Sequence, residues 1–143
     1  MLELVRLIQF RDRDRVCCYD VSVSQCHALK VVVDAASLTV NELAARLYLD
    51  KSTASRIAQS LVEKGYLERR SHHDDARRVE LVPTSAGAAL CATIDVEETR
   101  EYAALLEDFG PGTRAELVRL MRALGRCFRQ GVDVSGGSCC VVR

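Results

Sequence analysis

Between Thr39 and Gly65 the chain reads TVNELAARLYLDKSTASRIAQSLVEKG, two helix starts in close succession, and this run constrains the fold more than any other. Thr39 and Glu42 have the spacing of a capping box, in which the hydroxyl accepts from the amide of Glu42 while the carboxylate reaches back. Leu43, Ala44 and Leu47 then supply the apolar face of a short helix. After Tyr48 and Leu49, Asp50 is placed to cap a second helix whose Ala54, Ile57, Leu61 and Val62 share one side. Lys64 and Gly65 close that helix, because glycine adopts the left-handed conformation past a helix end at little cost.

The outer side of the second helix is different in kind. Lys51, Ser52, Thr53, Ser55, Arg56 and Gln59 present hydroxyls, an amide and cations, with Glu63 only at the far end. Two strand candidates follow, Tyr66 to Arg70 and Val79 to Val82, joined by the polar SHHDDARR. The expected fold class is therefore mainly α with a small β-hairpin wing, a winged helix-turn-helix. A helix about 10–12 Å across fits the major groove of B-DNA. On that reading Arg56 reaches guanine or a phosphate, Gln59 pairs with adenine, and Lys51, Ser52, Thr53 and Ser55 contact phosphates or base edges. In the wing, Arg77 enters the minor groove and Asp75 holds its guanidinium. Taken singly, each segment is also an ordinary solvated face or turn, and His72 and His73 are expected to face solvent or phosphate. The order of the elements favours the duplex.

Leu2, Leu4, Val5 and Ile8 recur at helical spacing before the charged RDRDR, so a first amphipathic helix is expected to end near Cys18. Ser22 or Ser24 caps a next helix with Ala28, Leu29, Val32 and Val33 as its stripe. Pro83 stops the second strand, and Thr84 opens a long alanine-rich helix to about Asp108. Gly110, Pro111 and Gly112 interrupt it, and Thr113 with Glu116 offers another capping box ahead of Leu117, Val118, Leu120, Met121 and Leu124. Beyond Gly131 the composition is that of a mobile tail.

A chain of 143 residues has room for one domain. Lys and Arg number 20 and Asp and Glu 20, so a nucleic-acid reading rests on where the cations sit, not on net charge. The absence of a long apolar run, and an N-terminus carrying charge throughout, lead to the expectation of a soluble, cytoplasmic protein with no membrane partner. An enzyme is not expected. No Ser/His/Asp set, phosphate-cradling glycine loop or spaced pair of carboxylates stands out.

The stretches LTVNELAARLYLDKSTASRIAQSLVEKGYLERR and DDARRVELVPTSAG, with the long helix after them, resemble the multiple antibiotic resistance regulator (MarR) family over most of the chain. The departures are Pro83 at the end of the second wing strand and two histidines in the wing turn. The resemblance implies a single MarR-like domain over 1–143, with dimerisation helices at about 1–20 and 84–131, the winged helix-turn-helix at about 22–83, and a flexible tail at 132–143. It further implies a homodimer on pseudo-palindromic double-stranded DNA, governed by an effector held between the dimer helices and the DNA-binding lobe. The apolar faces of the terminal helices agree with pairing.

Seven cysteines without an export signal point to thiol chemistry more than to a disulfide scaffold. Cys17, Cys18 and Cys26 map to the effector junction. Cys26 falls in a helix's first turn and Cys17 and Cys18 follow Arg13 and Arg15, surroundings that lower a thiol pKa. Cys139 and Cys140 sit on a Gly-Gly-Ser leash able to close over the same point. Converging thiolates select soft ions: trivalent arsenic or antimony, mercury, Cu(I) or zinc. Cys91 and Cys127 are expected to be small buried hydrophobes and His27 a polar helix residue. The function expected is a repressor released by a thiophilic metal or metalloid, with no cofactor required. Two alternatives stay open: a peroxide sensor of the same fold, and a metal-sequestering or metal-transfer module.

Overall fold

The structure, a computed structural model, describes residues 2–16, 19–71 and 79–134. Its elements are α1 (Leu2–Val16), α2 (Val23–Ala35), β1 (Leu38–Thr39), α3 (Val40–Leu47), α4 (Lys51–Glu63), β2 (Leu67–Ser71), β3 (Val79–Pro83), α5 (Ser85–Leu105) and α6 (Pro111–Val134). The chain is mostly helical with one small antiparallel sheet in the order β1-β3-β2, the winged arrangement expected.

Local chemistry places the helix ends. Ser22, Thr39 and Asp50 cap α2, α3 and α4, and the first two form reciprocal boxes with Gln25 and Glu42. Between α3 and α4, Tyr48 takes the left-handed conformation (φ 55°) normally left to glycine. At the end of α4, Gly65 (φ 78°) donates to the carbonyl of Val62 and Tyr66 to that of Leu61, a Schellman ending.

The wing strands pair as Leu67↔Pro83, Arg69↔Leu81 and Ser71↔Val79. β2 thus begins one residue later than Tyr66, whose carbonyl accepts from the Thr84 amide at 3.1 Å. β1 was not foreseen. It adds Leu38↔Leu81 and Thr39↔Glu80 to the sheet, and two residues carry no readable alternation. Leu29, Leu43, Leu61, Leu67 and Leu81, each under 2% exposed, join α2, α3, α4 and the sheet in one core. Each such burial stabilises by roughly 1.5–3 kcal/mol.

Two compact units divide the chain after Asp95. In the first, the start of α5 is tied to the end of α4. Thr84 Oγ1 donates to the carbonyl of Gly65 at 2.7 Å and accepts from the amide of Gly87 at 3.0 Å. A Cβ on Gly87 would lie 2.1 Å from the Tyr66 carbonyl oxygen, so only glycine permits this approach.

In the second unit the expected box of Thr113 and Glu116 does not form. Pro111 opens α6 as its first residue, where its missing N–H costs nothing, and the Arg114 amide already donates to the Gly110 carbonyl at 3.0 Å. Glu116 pairs instead with Arg119 at 2.6 Å. α5 stops at Leu105, short of Asp108, and α6 continues through Gly131 to Val134. Among the described residues of α6 none is buried, and Leu120, Met121, Leu124 and Phe128 stand exposed at helical spacing. No described helix is long and apolar enough to cross a membrane.

Candidate nucleic-acid interface

The candidate interface is built on α4. Its inner face carries Ala54, Ala58 and Leu61, all fully buried, which fixes the opposite face outward. At its start the Asp50 carboxylate accepts from the Ser52 hydroxyl at 2.5 Å, the Thr53 hydroxyl at 2.7 Å and the Thr53 amide at 2.8 Å. These bonds, the Ser52 hydroxyl foremost, hold its carboxyl well below the usual carboxylate range. Lys51, Ser52, Arg56 and Gln59 are exposed, and Thr53 and Ser55 half-buried.

Arg56 Nη2 donates to Thr53 Oγ1 at 3.3 Å, so its guanidinium is oriented by the first turn. Gln59 is engaged at both ends of its amide. Nε2 donates to Glu63 at 3.0 Å and Oε1 accepts from Arg69 Nη2 at 3.1 Å. It holds a wing cation as well as facing outward. Arg69 was absent from the residues expected at the interface; strand alternation from buried Leu67 is the signal that finds it. Asp75 and Arg77, with His72 and His73, lie outside the described residues.

Behind α4 a polar cluster connects it to the chain around Cys26. Gln25 Oε1 accepts from the Ser22 amide at 2.9 Å and from Lys64 Nζ at 3.2 Å, while Gln25 Nε2 donates to Ser60 of α4 at 2.8 Å. Lys64 also donates to the Asp20 carbonyl. Tyr66 donates its hydroxyl to Asp20 Oδ1 at 2.7 Å, and that bond raises the phenol pKa above its ordinary value, with burial adding to the shift. On the other side of α2, Lys30 meets Asp95 of α5 at 2.6 Å.

Cys26 lies in the first turn of α2, its amide donating to the Ser22 carbonyl at 2.8 Å, and is half-buried against the core. Cys17, Cys18, Cys139 and Cys140 lie outside the described residues. Among the described residues no three His, Cys, Asp or Glu side chains converge as a metal site. Cys91 is buried, as its apolar helix position implies, whereas Cys127 is exposed because the apolar face of α6 is uncovered. His27 is exposed.

Residues 19–78 match a family model described as MarR family. An uncharacterised HTH-type transcriptional regulator from Mycobacterium leprae is 29% identical over 90 residues, which are 63% of this chain and 60% of that protein. The chain thus spans about three-fifths of the length of that curated relative. A MarR family protein from Bacillus stearothermophilus superposes with a TM-score of 0.79 at 23% identity, covering 89% of this chain and 91% of its own. Streptococcus pneumoniae FabT, solved in complex with DNA, superposes with a TM-score of 0.81 at 17% identity, covering 90% of this chain and 92% of its own. Residues 19–78, from α2 through the wing, are thus similar to the MarR family, and the solved structures share the fold of the chain.

Proposed function

We propose that this chain is a DNA-binding transcriptional regulator, a repressor that acts as a homodimer on a pseudo-palindromic operator. The observation that carries the reading is the outer face of α4, where Lys51, Ser52, Arg56 and Gln59 stand exposed while Ala54, Ala58 and Leu61 anchor the helix from behind. Groove binding uses such a face: cations and hydrogen-bonding groups outward, rigid packing inward. FabT, of the same fold, is solved on DNA. The exposed Leu120, Met121, Leu124 and Phe128 of α6 supply an apolar surface for a second copy.

The effector in this proposal is a thiophilic metal or metalloid held by Cys26 with Cys17, Cys18, Cys139 and Cys140. Support comes from the position of Cys26 beside Gln25, whose amide bonds Ser60 of α4 and receives Lys64. Strain applied to the first turn of α2 by a bound ion reaches α4 through those side chains. Arsenous acid forms each As–S bond with loss of one water, the thiol proton leaving with a hydroxyl of the acid. Mercury(II) binds two thiols as thiolates and releases their two protons.

The test is a gel-shift series on the DNA upstream of the chain's own gene, under reducing conditions, at rising salt and with arsenite, mercury or hydroperoxide added. Salt-sensitive binding abolished by arsenite or mercury is the expected result. Release by hydroperoxide alone replaces the metal with oxidation. A chain with no preference for any duplex ends the proposal.

A further inference from the structure

Arg69 is an exposed cation on β2, next to α4. Side chains alternate along a strand, so Arg69 shares the sheet face of Leu67, which is buried in the core that includes Ala58 and Leu61 of α4. β2 packs against α4 at this point. Arg69 continues past the edge of the core and comes to lie beside Gln59, whose carbonyl oxygen accepts from its Nη2 at 3.1 Å. Arg70 projects to the other face and is neutralised by Glu68. Among the described residues Arg69 has no carboxylate partner. Its hydrogen bond to Gln59 is to a neutral amide, so its charge is retained, and one of its five N–H donors is used. Gln59 in turn is steadied by its bond to Glu63 at 3.0 Å.

Resting on the function proposed above, we propose that Arg69 is a phosphate-contacting residue of the DNA interface and that Gln59 is its positioning residue. A recognition helix reads bases chiefly with its N-terminal turns. Arg69 stands beside the later half of α4, on a strand flanking it, where the sugar-phosphate backbone borders the groove. A guanidinium fixed along one edge offers its remaining donors to phosphate oxygens as a fork. Gln59, with both ends of its amide engaged, contributes by holding that fork in place.

The experiment measures affinity of the full chain for its upstream duplex and for a scrambled duplex by fluorescence anisotropy, between about 50 and 200 mM salt. R69A is expected to weaken both duplexes alike and to lower the log–log salt slope by roughly 1.8, one phosphate contact of about 0.9 from each subunit of the dimer. R69K keeps that slope because the charge remains. R70A leaves slope and affinity unchanged. Q59A weakens both duplexes several-fold without altering the preference between the operator and its single-base variants.

An R69A slope equal to wild type overturns the assignment of Arg69. A Q59A chain that relaxes preference at one base pair makes Gln59 a base reader and overturns its positioning role. If wild type binds neither duplex in a salt-dependent way, the DNA-binding reading falls and this assignment with it. Binding by wild type with a silent R69A removes this assignment alone.

Discussion

α4 and α6 solve opposite problems. α4 buries Ala54, Ala58 and Leu61 completely and leaves hydroxyls, an amide and cations outside. α6, among its described residues, buries nothing and leaves Leu120, Met121, Leu124 and Phe128 outside, at 39% to 60% exposure. The first helix is finished within its own chain and offers a surface suited to a hydrated, charged partner. The second is unfinished, and its stripe asks for an apolar partner of the same kind. A dimer of the proposed form needs both, since two finished recognition helices are displayed in register only if the unfinished helices meet.

Leucine to alanine changes on the two helices separate them most directly. Leu61→Ala opens a cavity in a fully packed core and is expected to cost about 2–5 kcal/mol, read as a lower denaturant midpoint at every protein concentration. Leu124→Ala removes surface that is exposed in the single chain, so at protein concentrations low enough to dissociate dimers its cost is within roughly 0.5 kcal/mol. Equal losses at low concentration would mean that α6 is covered by its own chain.

Leu124→Glu with Phe128→Glu addresses the other half. The pair places charge on the stripe, and sedimentation is expected to show a monomer whose far-UV circular dichroism is retained. Affinity for the upstream duplex should fall by about 100-fold or more, because the second recognition helix is no longer linked to the first. A double variant that stays dimeric removes α6 as the pairing surface.

How far these features were legible follows from how local their causes are. The caps at Thr39 and Asp50 and the turn at Gly65 depend on residues within a few positions, and the structure has them where the spacing put them. β1 is two residues that become a strand only because β3 lies alongside. The start of α6 was misplaced because two signals competed, and Pro111 at the first helical position prevailed over Thr113. Alternation puts Arg69 on the face of Leu67 whichever residue opens the strand, but that Gln59 of α4 lies on that face is a tertiary fact. The tie between Gln25 and Ser60 joins side chains 35 positions apart, beyond the reach of any local pattern. The cysteines proposed to hold an effector were legible only as composition and position.

Gly87 is a nonlocal requirement of the same sort, and it sharpens what finishing α4 involves. Its Cα faces the Tyr66 carbonyl, which also receives the Thr84 amide, so the end of α4 is stapled to α5. Gly87→Ala places a methyl 2.1 Å from a backbone oxygen, where no side chain can yield. Alanine's better helix propensity returns about 1 kcal/mol. Overpacking costs about 1–3 kcal/mol or more. The expected balance is destabilising, with faster amide hydrogen exchange at Gly65 and Tyr66. An unchanged midpoint would show the staple to be slack.

The smallest effect lies at the start of α3. The Thr39 hydroxyl accepts from the Glu42 amide at 3.2 Å and the Glu42 carboxylate accepts from the Thr39 amide at 2.8 Å, while the same residue pairs with Glu80 in the sheet. Thr39→Ala removes the hydroxyl and is expected to cost about 1 kcal/mol; Thr39→Ser restores most of it. Because α3 packs against α4, the loss should appear in thermal unfolding of the first unit and leave the sedimentation coefficient unchanged. If Thr39→Ala instead weakened dimerisation, the stability of α4 and the pairing of α6 would be coupled, and the two helices would not be separable surfaces.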